Sequence, residues 1–439
     1  MDTAARKVWL HVGAPKTGTS QIQDLLFLNR ASLHEQHGIL YPADRHDDHF
    51  MAALDLIGQQ WGGLEERAVG AWDRLVERAN AHPGTVIISH EVFAGASREQ
   101  AQSALDALDG EVHVVVSARD LHLQIPAEWQ EGVKHRRRTT YAEFCRDLIS
   151  ESPSMAATRW FWRVQDVPRV LDYWGAGLPP ERVHVLTVPG RDAPRDLLIE
   201  RFLDLFGVAR GWLPEASDRA NTSLGAAETT VIRRLNELLP PQRLEGDVYR
   251  FHVRELLVHR TLAQRTGGAK ITLPDFMADW ADATTTTWVA ALERAGYDVV
   301  GDLAELAPHR ARIAWYDPDS APAADLLDVT YAALEALLLD TGRLEAELDR
   351  LRRERAELLV LRQEHEELLA LRQEHEELLA LRREHEELLG LRAERERLAT
   401  PPPPPPGLWM RTKQRLVAFG ERNVVARALL RGLRFVRRR

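Results

Sequence analysis

The feature that most constrains the fold is a change of pattern close to the beginning of the sequence. An apolar run at residues 8–12 leads into a glycine-rich loop at residues 13–20, and an amphipathic segment begins near Ser20. This succession predicts a buried strand, a loop that can hold an anion, and a helix. Such a unit requires a sheet covered by helices, so we expect an α/β fold with a mostly parallel sheet.

The loop has the residue types that an anion site needs. Gly13 and Gly18 allow tight turns, which bring backbone N–H groups against an anion. Lys16 adds a full positive charge, and the N-terminus of the following helix adds a partial one. Three hydroxyl groups add further donors, namely those of Thr17, Thr19 and Ser20. A purely structural glycine turn is the alternative interpretation.

The position of the lysine separates this loop from that of nucleotide kinases. The kinase pattern G-x-x-x-x-G-K-[ST] places lysine directly after the second glycine, where this sequence has Thr19. The lysine lies three residues earlier, at Lys16. A kinase lysine must reach the β and γ phosphates beside a bound Mg²⁺, so the earlier position suits a shorter anion. A divergent kinase stays an alternative.

The motif G-x-P-K-T-G-T-S in residues 13–20 resembles the 5′-phosphosulfate loop of the sulfotransferases. The resemblance implies a three-layer, P-loop-like fold and 3′-phosphoadenosine 5′-phosphosulfate (PAPS) as co-substrate, with no metal expected. It implies that Lys16 stabilises charge on the bridging oxygen of the leaving group. The loop residues that it implies for PAPS binding are Gly13, Lys16, Thr17, Gly18, Thr19 and Ser20.

A candidate base follows the next predicted strand, at residues 85–89. His90 and Glu91 come directly after this apolar run, and both side chains can take a proton. Sulfotransferases that resemble this sequence carry a histidine or a glutamate at about this point. The resemblance therefore implies that Glu91 or His90 deprotonates the acceptor hydroxyl, and we favour Glu91. Capping of the next helix is the structural alternative.

The predicted strand at residues 112–118 ends at Arg119. In the family, an arginine here and a serine about eight residues later, often as S-x-W, bind the 3′-phosphate. This sequence has Arg119 and Trp129 but Ala127 in place of the serine, a loss of about 1–2 kcal/mol unless another donor replaces it. The candidate replacements are Gln124, Gln130 and Lys134. An ion pair with Asp120 is the structural alternative for Arg119.

Two later segments extend the prediction of the site. Bacterial sulfotransferases have a segment similar to N-x-S-L, which implies that Asn221 and Ser223 close over the nucleotide and donate hydrogen bonds. The basic cluster KHRRR at residues 134–138, with tryptophans nearby in the sequence, could bind an anionic or sugar acceptor. A solvated charge run is the alternative for this cluster.

The length of 439 residues and the 44% hydrophobic content allow two or three domains. We predict a sulfotransferase-like catalytic domain at 1–316, a helical connector at 317–342, a repeat helix at 343–399, a polyproline linker at 400–406 and a basic tail at 407–439. Within the first domain we predict a further strand at 183–188 and helices at 68–81, 97–108, 141–149 and 196–206.

A ten-residue unit such as LRQEHEELLA recurs from Leu351 to about Leu398. The leucines alternate at gaps of seven and three, which indicates a helix whose apolar stripe rotates by roughly 80° per unit. We predict a coiled coil that makes the protein a homo-oligomer, and a solvated single helix is the alternative. The histidines of the repeat, His365, His375 and His385, are interpreted as solvated rather than metal-binding.

The last segment, residues 407–439, has nine arginines and one lysine against one glutamate, a net charge of +9. Its second half is amphipathic on a helical wheel, with Val425, Leu429 and Leu433 on one side. This pattern predicts a helix on an anionic membrane surface. Binding of another polyanion and a disordered tail are the alternatives, and a nucleic-acid partner is not expected.

These observations lead to one functional hypothesis. We expect a sulfotransferase that moves a sulfuryl group from PAPS to a hydroxyl of a saccharide or glycolipid near the membrane. Its arginine-rich composition indicates a bacterial source, and the single cysteine, Cys145, with no apolar signal region, predicts a cytoplasmic protein that is peripheral on the inner membrane face. The alternatives are a divergent P-loop kinase and an inactive membrane-associated scaffold, which Ala127 would favour.

Overall fold

The computed structural model describes residues 6–61, 63–190, 192–194, 196–215, 223–307, 315–401 and 407–422. The chain divides into two units, Met1–Arg343 and Leu344–Arg439. The strands of the first unit are β1 Lys7–Gly13, β2 Ile39–Leu40, β3 Thr85–Ser89, β4 Glu111–Ala118, β5 Val183–Thr187 and β6 Asp298–Val300. They form one sheet in the order β2-β3-β1-β4-β5-β6, and each described pairing is parallel.

Helices precede, connect and follow these strands. They are α1 Thr19–Leu28, α2 Arg30–His37, α3 Asp48–Ile57, α4 Leu64–Ala68, α5 Ala71–Ala81, α6 Arg98–Asp106, α7 Leu121–Lys134, α8 Tyr141–Leu148, α9 Ala156–Gln165, α10 Val167–Trp174, α11 Leu197–Asp204, α12 Ala226–Leu238, α13 Gly246–Tyr249, α14 Asp275–Ala295, α15 Ala323–Ala399 and α16 Leu408–Arg422. A π-helix, Arg250–Thr261, follows α13 directly. Short 3₁₀ turns lie at Glu91–Gly95, Pro180–Arg182, Arg210–Trp212, Leu262–Gln264, Leu303–Leu306 and Pro318–Ser320.

The α/β class is confirmed, and helices cover both faces of the sheet. Along β1, Val8, Leu10 and Val12 pack into one apolar cluster with residues of α3, α5, α7 and α10. Trp9, between them, packs into a second cluster with α1 and α11. Successive side chains of a strand point to opposite faces of the sheet. A strand that is buried on both faces therefore appears in the sequence as a continuous apolar run, as at residues 8–12.

Some predicted helix and strand boundaries differ from the observed ones because the local backbone conformation ends an element. The strand at 85–89 agrees residue for residue, whereas the helix predicted at 68–81 begins at Ala71 as α5, and Ala68 is the last residue of a separate helix, α4. Gly70 separates them because its φ of 74° is left-handed and cannot continue a right-handed helix. The edge strands β2 and β6 were not predicted, since two or three residues are too few to show a period.

The second unit is described by itself. From Leu344 onward, α15 is exposed along its length, and arginine and glutamate pair at i,i+4 spacing within it. The pairs are Arg362–Glu366 at 3.1 Å, Arg372–Glu376 at 3.3 Å and Arg382–Glu386 at 3.4 Å. Such pairs stabilise an isolated helix. The amphipathic half of the tail, from residue 423, lies outside the described residues.

Polar side chains are buried within the sheet as well. His11 of β1 lies between Ser89 of β3 and Ser117 of β4, with its two ring nitrogens 2.8 and 3.0 Å from the hydroxyl oxygens. Burial lowers the pKa of His11 to about 4. The same cause lowers the pKa of His49 to about 3, and its Nδ1 accepts the backbone N–H of Ser89. Both rings are therefore held neutral beneath the loops of the sheet.

We predict that acid destabilises the first unit through these histidines. An unfolded histidine titrates near 6.5, so between that pH and about 4 the unfolded state binds a proton that folded His11 does not. The contribution is fully present above pH 6.5 and is lost as the pH falls, by up to about 3 kcal/mol. Denaturant unfolding of wild type and His11→Asn across this window should show a smaller pH dependence in the variant.

An identical pH dependence in wild type and His11→Asn would contradict the prediction.

Candidate active site

The loops that follow four of the strands line one cleft of about 1470 Å³. They follow β1, β3, β4 and β5, whose carboxyl ends lie at the same edge because the strands are parallel. Ligands of open parallel sheets bind at this edge, outside the carboxyl ends of the strands. The cleft is therefore the candidate active site.

Most of the site residues predicted from the sequence line this cleft. They are Lys16, Thr17, Gly18, Thr19, Ser20, His90, Glu91, Arg119 and Ser223. Gly13 does not line it but lies at the end of β1, where a Cβ atom would be 3.0 Å from the carbonyl oxygen of Glu91. Asn221 lies outside the described residues. The cleft thus collects side chains that are up to about two hundred residues apart in sequence.

The loop at residues 13–20 presents its backbone donors. Gly18 is the N-cap of α1 with a left-handed φ of 87°, and a Cβ atom there would collide with Leu198. Carbonyl groups of the loop are held by side chains, since Arg119 donates to Lys16 O at 3.0 Å and Gln165 donates to Pro15 O at 3.0 Å. The backbone N–H groups of residues 16–20 donate to no acceptor among the described residues. This arrangement suits an anion.

Lys16 has an acidic partner that the sequence analysis did not identify. Its ammonium lies 2.7 Å from Oε2 of Glu131 on α7, and Lys134 lies 3.5 Å from the same oxygen. His135 contacts the other oxygen at 3.2 Å. Burial alone would raise the pKa of Glu131, but the charges of Lys16 and Lys134 and the hydrogen bond from His135 hold it well below its usual range. Glu131 is therefore ionised beside the loop.

The two candidate bases have different hydrogen-bonding roles. Nδ1 of His90 accepts the backbone N–H of Val92 at 3.2 Å, so the neutral ring carries its proton on Nε2. Burial lowers the pKa of His90, which disfavours a second proton. Glu91 accepts a hydrogen bond from Gln23 at 2.6 Å. Although burial opposes it, interactions with His90, Gln23 and Lys16 lower the pKa of Glu91, so this carboxylate is ionised and can accept a proton.

His90 therefore lines the cleft, as the sequence predicts, and also caps the following turn, which is the structural alternative. Its side chain is the N-cap of the turn Glu91–Gly95. Glu91 is the first residue of that turn, and its carboxylate lies 3.9 Å from Nε2 of His90. The geometry favours Glu91 as the proton acceptor and His90 as a donor.

The structure limits which side chain could replace the missing serine hydroxyl. Ala127 lines the cleft, as Arg119 does. The amide of Gln124 donates to Pro15 O, and the amide of Gln130 donates to Leu224 O at 2.8 Å. Both amides are thus engaged with main-chain carbonyls. Of the three candidates, Lys134 is the one whose cationic group lies at the cleft beside Lys16.

A second carboxyl group of α7 also lines the cleft and was not predicted. Glu128 is buried, and burial raises its pKa against the opposing charges of Arg137 and Lys16. Glu128 and Glu131 are three residues apart, which places them on one face of α7. Their i,i+3 spacing was visible in the sequence, but nothing there showed that this face meets the loop.

In the part of the chain that the structure describes, no group of three or more histidine, cysteine, aspartate or glutamate side chains could hold a metal ion. Among the described helices, none is long and apolar enough to cross a membrane.

Comparisons with known proteins add little to this geometry. No protein-family model and no curated protein matches the sequence. Among solved structures, the chain is similar to a sulfotransferase from Alicyclobacillus acidocaldarius, with 18% identity over 56% of this chain and 100% of that chain and a TM-score of 0.33. At this identity and TM-score, the likeness does not establish a shared activity. The fold assignment rests on the strand order and the pairings of the sheet.

Proposed function

We propose that this protein is a sulfotransferase that moves a sulfuryl group from PAPS to a hydroxyl of an acceptor. One observation carries the proposal: a loop with open backbone donors, Lys16, Arg119 and the ionised Glu91 all line one cleft at the carboxyl edge of the sheet. Sulfuryl transfer needs a held anionic donor, a cation for the leaving group and a base for the acceptor. The cleft contains a candidate for each.

The donor would be held by the first loop. Backbone N–H groups of residues 16–20 and the hydroxyls of Thr19 and Ser20 would bind the phosphosulfate. The N-terminus of α1 adds a favourable dipole at the same place. Arg119 would bind the 3′-phosphate, and Lys134 would supply the donor that Ala127 lacks. The bisphosphate and Glu131 would compete for Lys16, because this lysine already has a carboxylate partner.

The chemical step divides between two side chains. Glu91 would take the proton of the acceptor hydroxyl, whose oxygen then forms a bond to sulfur. The bond between sulfur and the bridging oxygen of the donor breaks, and adenosine 3′,5′-bisphosphate leaves with the electron pair. Lys16 would stabilise the negative charge that develops on that oxygen. His90 would donate through Nε2, a role that follows from its bond to Val92.

The second unit supports a proposal about location and assembly. In α16, Trp409, Met410, Leu416 and Val417 are exposed, next to Arg411, Lys413 and Arg415. We infer that this helix, which has both basic and apolar side chains, binds an anionic membrane surface, where the enzyme would reach a glycolipid or saccharide acceptor.

The exposed leucines of α15 favour self-association of the repeat. Sedimentation of the full chain tests this, and a monomer at every concentration would contradict it.

Lys16→Ala should weaken binding of adenosine 3′,5′-bisphosphate by about tenfold or more, since a charge-assisted contact is lost. Calorimetric titration of the full chain, with and without Mg²⁺, measures this. Lys7→Ala is the matched control because Lys7 lies at the start of β1, away from the cleft-lining residues. A preference for ATP with Mg²⁺ would indicate a kinase, and binding of neither nucleotide would indicate an inactive scaffold.

Glu91→Gln should lower turnover by about 10²–10⁴-fold, as expected for loss of a general base, while bisphosphate affinity changes little. His90→Gln should lower turnover less, since the glutamine amide keeps a hydrogen-bond donor near the position of Nε2. Release of bisphosphate from PAPS, with a panel of hydroxyl acceptors, measures the rates. A larger loss in His90→Gln than in Glu91→Gln would reverse the two roles.

Charge removal in α16 tests the membrane proposal. The variant Arg411→Gln, Lys413→Gln, Arg415→Gln should bind vesicles that contain phosphatidylserine at least tenfold more weakly, since each basic residue near an anionic surface contributes about 1 kcal/mol. Co-sedimentation of the full chain with vesicles measures this. The control removes three charges from α15 by Arg362→Gln, Arg372→Gln and Arg382→Gln, and equal losses in both variants would contradict the assignment to α16.

A further inference from the structure

One side of the cleft is an aromatic wall formed by Phe50, Trp61 and Trp160. The ring of Trp61 lies 5.7 Å from Phe50 and 5.9 Å from Trp160, both in edge contacts. Phe50 in turn lies 5.1 Å from His90, which is next to Glu91. All three rings are only partly buried, so each exposes apolar surface to the cleft. The aromatic wall therefore begins where the candidate base is.

Another side is a basic wall. It consists of Lys134, Arg136, Arg137, Arg250, Arg254 and Lys270. The two walls meet at His135, whose ring lies 6.2 Å from Trp61 and 3.2 Å from Glu131. Because Glu131 also contacts Lys16, the walls are continuous with the phosphate loop. A molecule that reaches the base from this direction contacts both aromatic rings and cations.

The positive charge of the cleft is only partly compensated. With Lys16 and Arg119, the cleft is lined by eight lysines and arginines and by five glutamates and aspartates. Glu131 is shared between Lys16 and Lys134, and Asp247 pairs with Arg250 at 3.4 Å. The excess of cations favours an anionic ligand in this cleft.

Three arginines of the basic wall have a buried donor that forms no hydrogen bond with a described group, namely Nε of Arg136, Nη1 of Arg137 and Nε of Arg254. Arg136 is nevertheless held in place, since its Nη2 donates to Leu244 O at 2.6 Å and its guanidinium group stacks on Tyr249. Arg137 and Arg254 also line the cleft, and a buried donor without an acceptor costs free energy. Each of these two side chains would gain a hydrogen bond by turning toward an oxygen of a bound ligand.

Local backbone features hold these two arginines at the cleft. Gly132 on α7 makes room for Arg137, because a Cβ atom at that position would lie 2.8 Å from Nη1. Arg254 belongs to the π-helix Arg250–Thr261, in the place where α13 would otherwise continue.

We propose that the acceptor is a saccharide that already carries an anionic group, a carboxylate or a sulfate, and that Arg137 and Arg254 recognise this group. This inference rests on the proposed sulfotransferase function. A sugar ring packs against the aromatic wall with one hydroxyl toward Glu91. The anionic group of the same or the neighbouring sugar accepts hydrogen bonds from the two guanidinium groups.

The test uses the full chain saturated with adenosine 3′,5′-bisphosphate. It is titrated with a galacturonate tetrasaccharide, with the same tetrasaccharide after reduction of its carboxyl groups to hydroxymethyl groups, and with a sulfated tetrasaccharide. We expect either charged sugar to bind about tenfold or more tightly than the neutral one, with an affinity that falls as salt is added. The relative affinities of the carboxylate and sulfate sugars identify which anion is preferred.

The double variant Arg137→Gln, Arg254→Gln should lose this preference while bisphosphate affinity stays within about twofold of wild type. Trp61→Ala should weaken charged and neutral sugars alike, because it removes ring contact and no charge. The control variant Arg362→Gln, Arg372→Gln on α15 should behave as wild type. Melting temperatures of all variants check that the arginine substitutions leave the protein folded.

Three results would overturn the inference while the proposed function stands: equal binding of charged and neutral sugars, binding of none of them, or a preference that survives in the double variant. Loss of bisphosphate affinity in the double variant would place the two arginines in the donor site and overturn it as well. Failure of wild type to bind bisphosphate at all would instead remove the proposed function on which the inference rests.

Discussion

The site depends on the position of β1 between β3 and β4 in a parallel sheet. The chain leaves β1, returns on one side as β3 and then crosses to the other side as β4. The loops after these strands consequently diverge on opposite sides of the loop at residues 13–20, which opens a crevice at the carboxyl edge. Burial of both faces of β1 holds this geometry, because Val8, Leu10 and Trp9 pack against helices on opposite sides of the sheet.

The charge balance within the crevice depends on Glu131 of α7, which lies beside the first loop. Glu131 contacts both Lys16 and Lys134 and offsets part of the repulsion between these two cations in a partly buried cleft. Buried like charges without a counterion would be costly. Under the proposed function, the phosphate groups of the donor would compete with this carboxylate for Lys16.

Much of the first unit follows from local patterns. The strand Thr85–Ser89 and the loop with Gly13, Lys16 and Gly18 could be predicted because periodicity and turn-forming residues are local properties. The choice between His90 and Glu91 could not, since it depends on a hydrogen bond between His90 and Val92 that only the folded turn contains. The engagement of Gln124 and Gln130 with carbonyl groups is likewise a matter of tertiary contact.

The sequence by itself determined the α/β class, the glycine-rich loop after β1 and the helical repeat, because each depends on residues that are neighbours along the chain. Only the tertiary structure decided that Glu131 pairs with Lys16, that Phe50 and Trp61 form a wall beside the candidate base, and that Arg254 lines the same cleft as Arg137. These residues come from several helices and loops of the first unit. They come into contact because of the way the helices pack on the sheet, and this packing cannot be predicted from residue spacing along the chain.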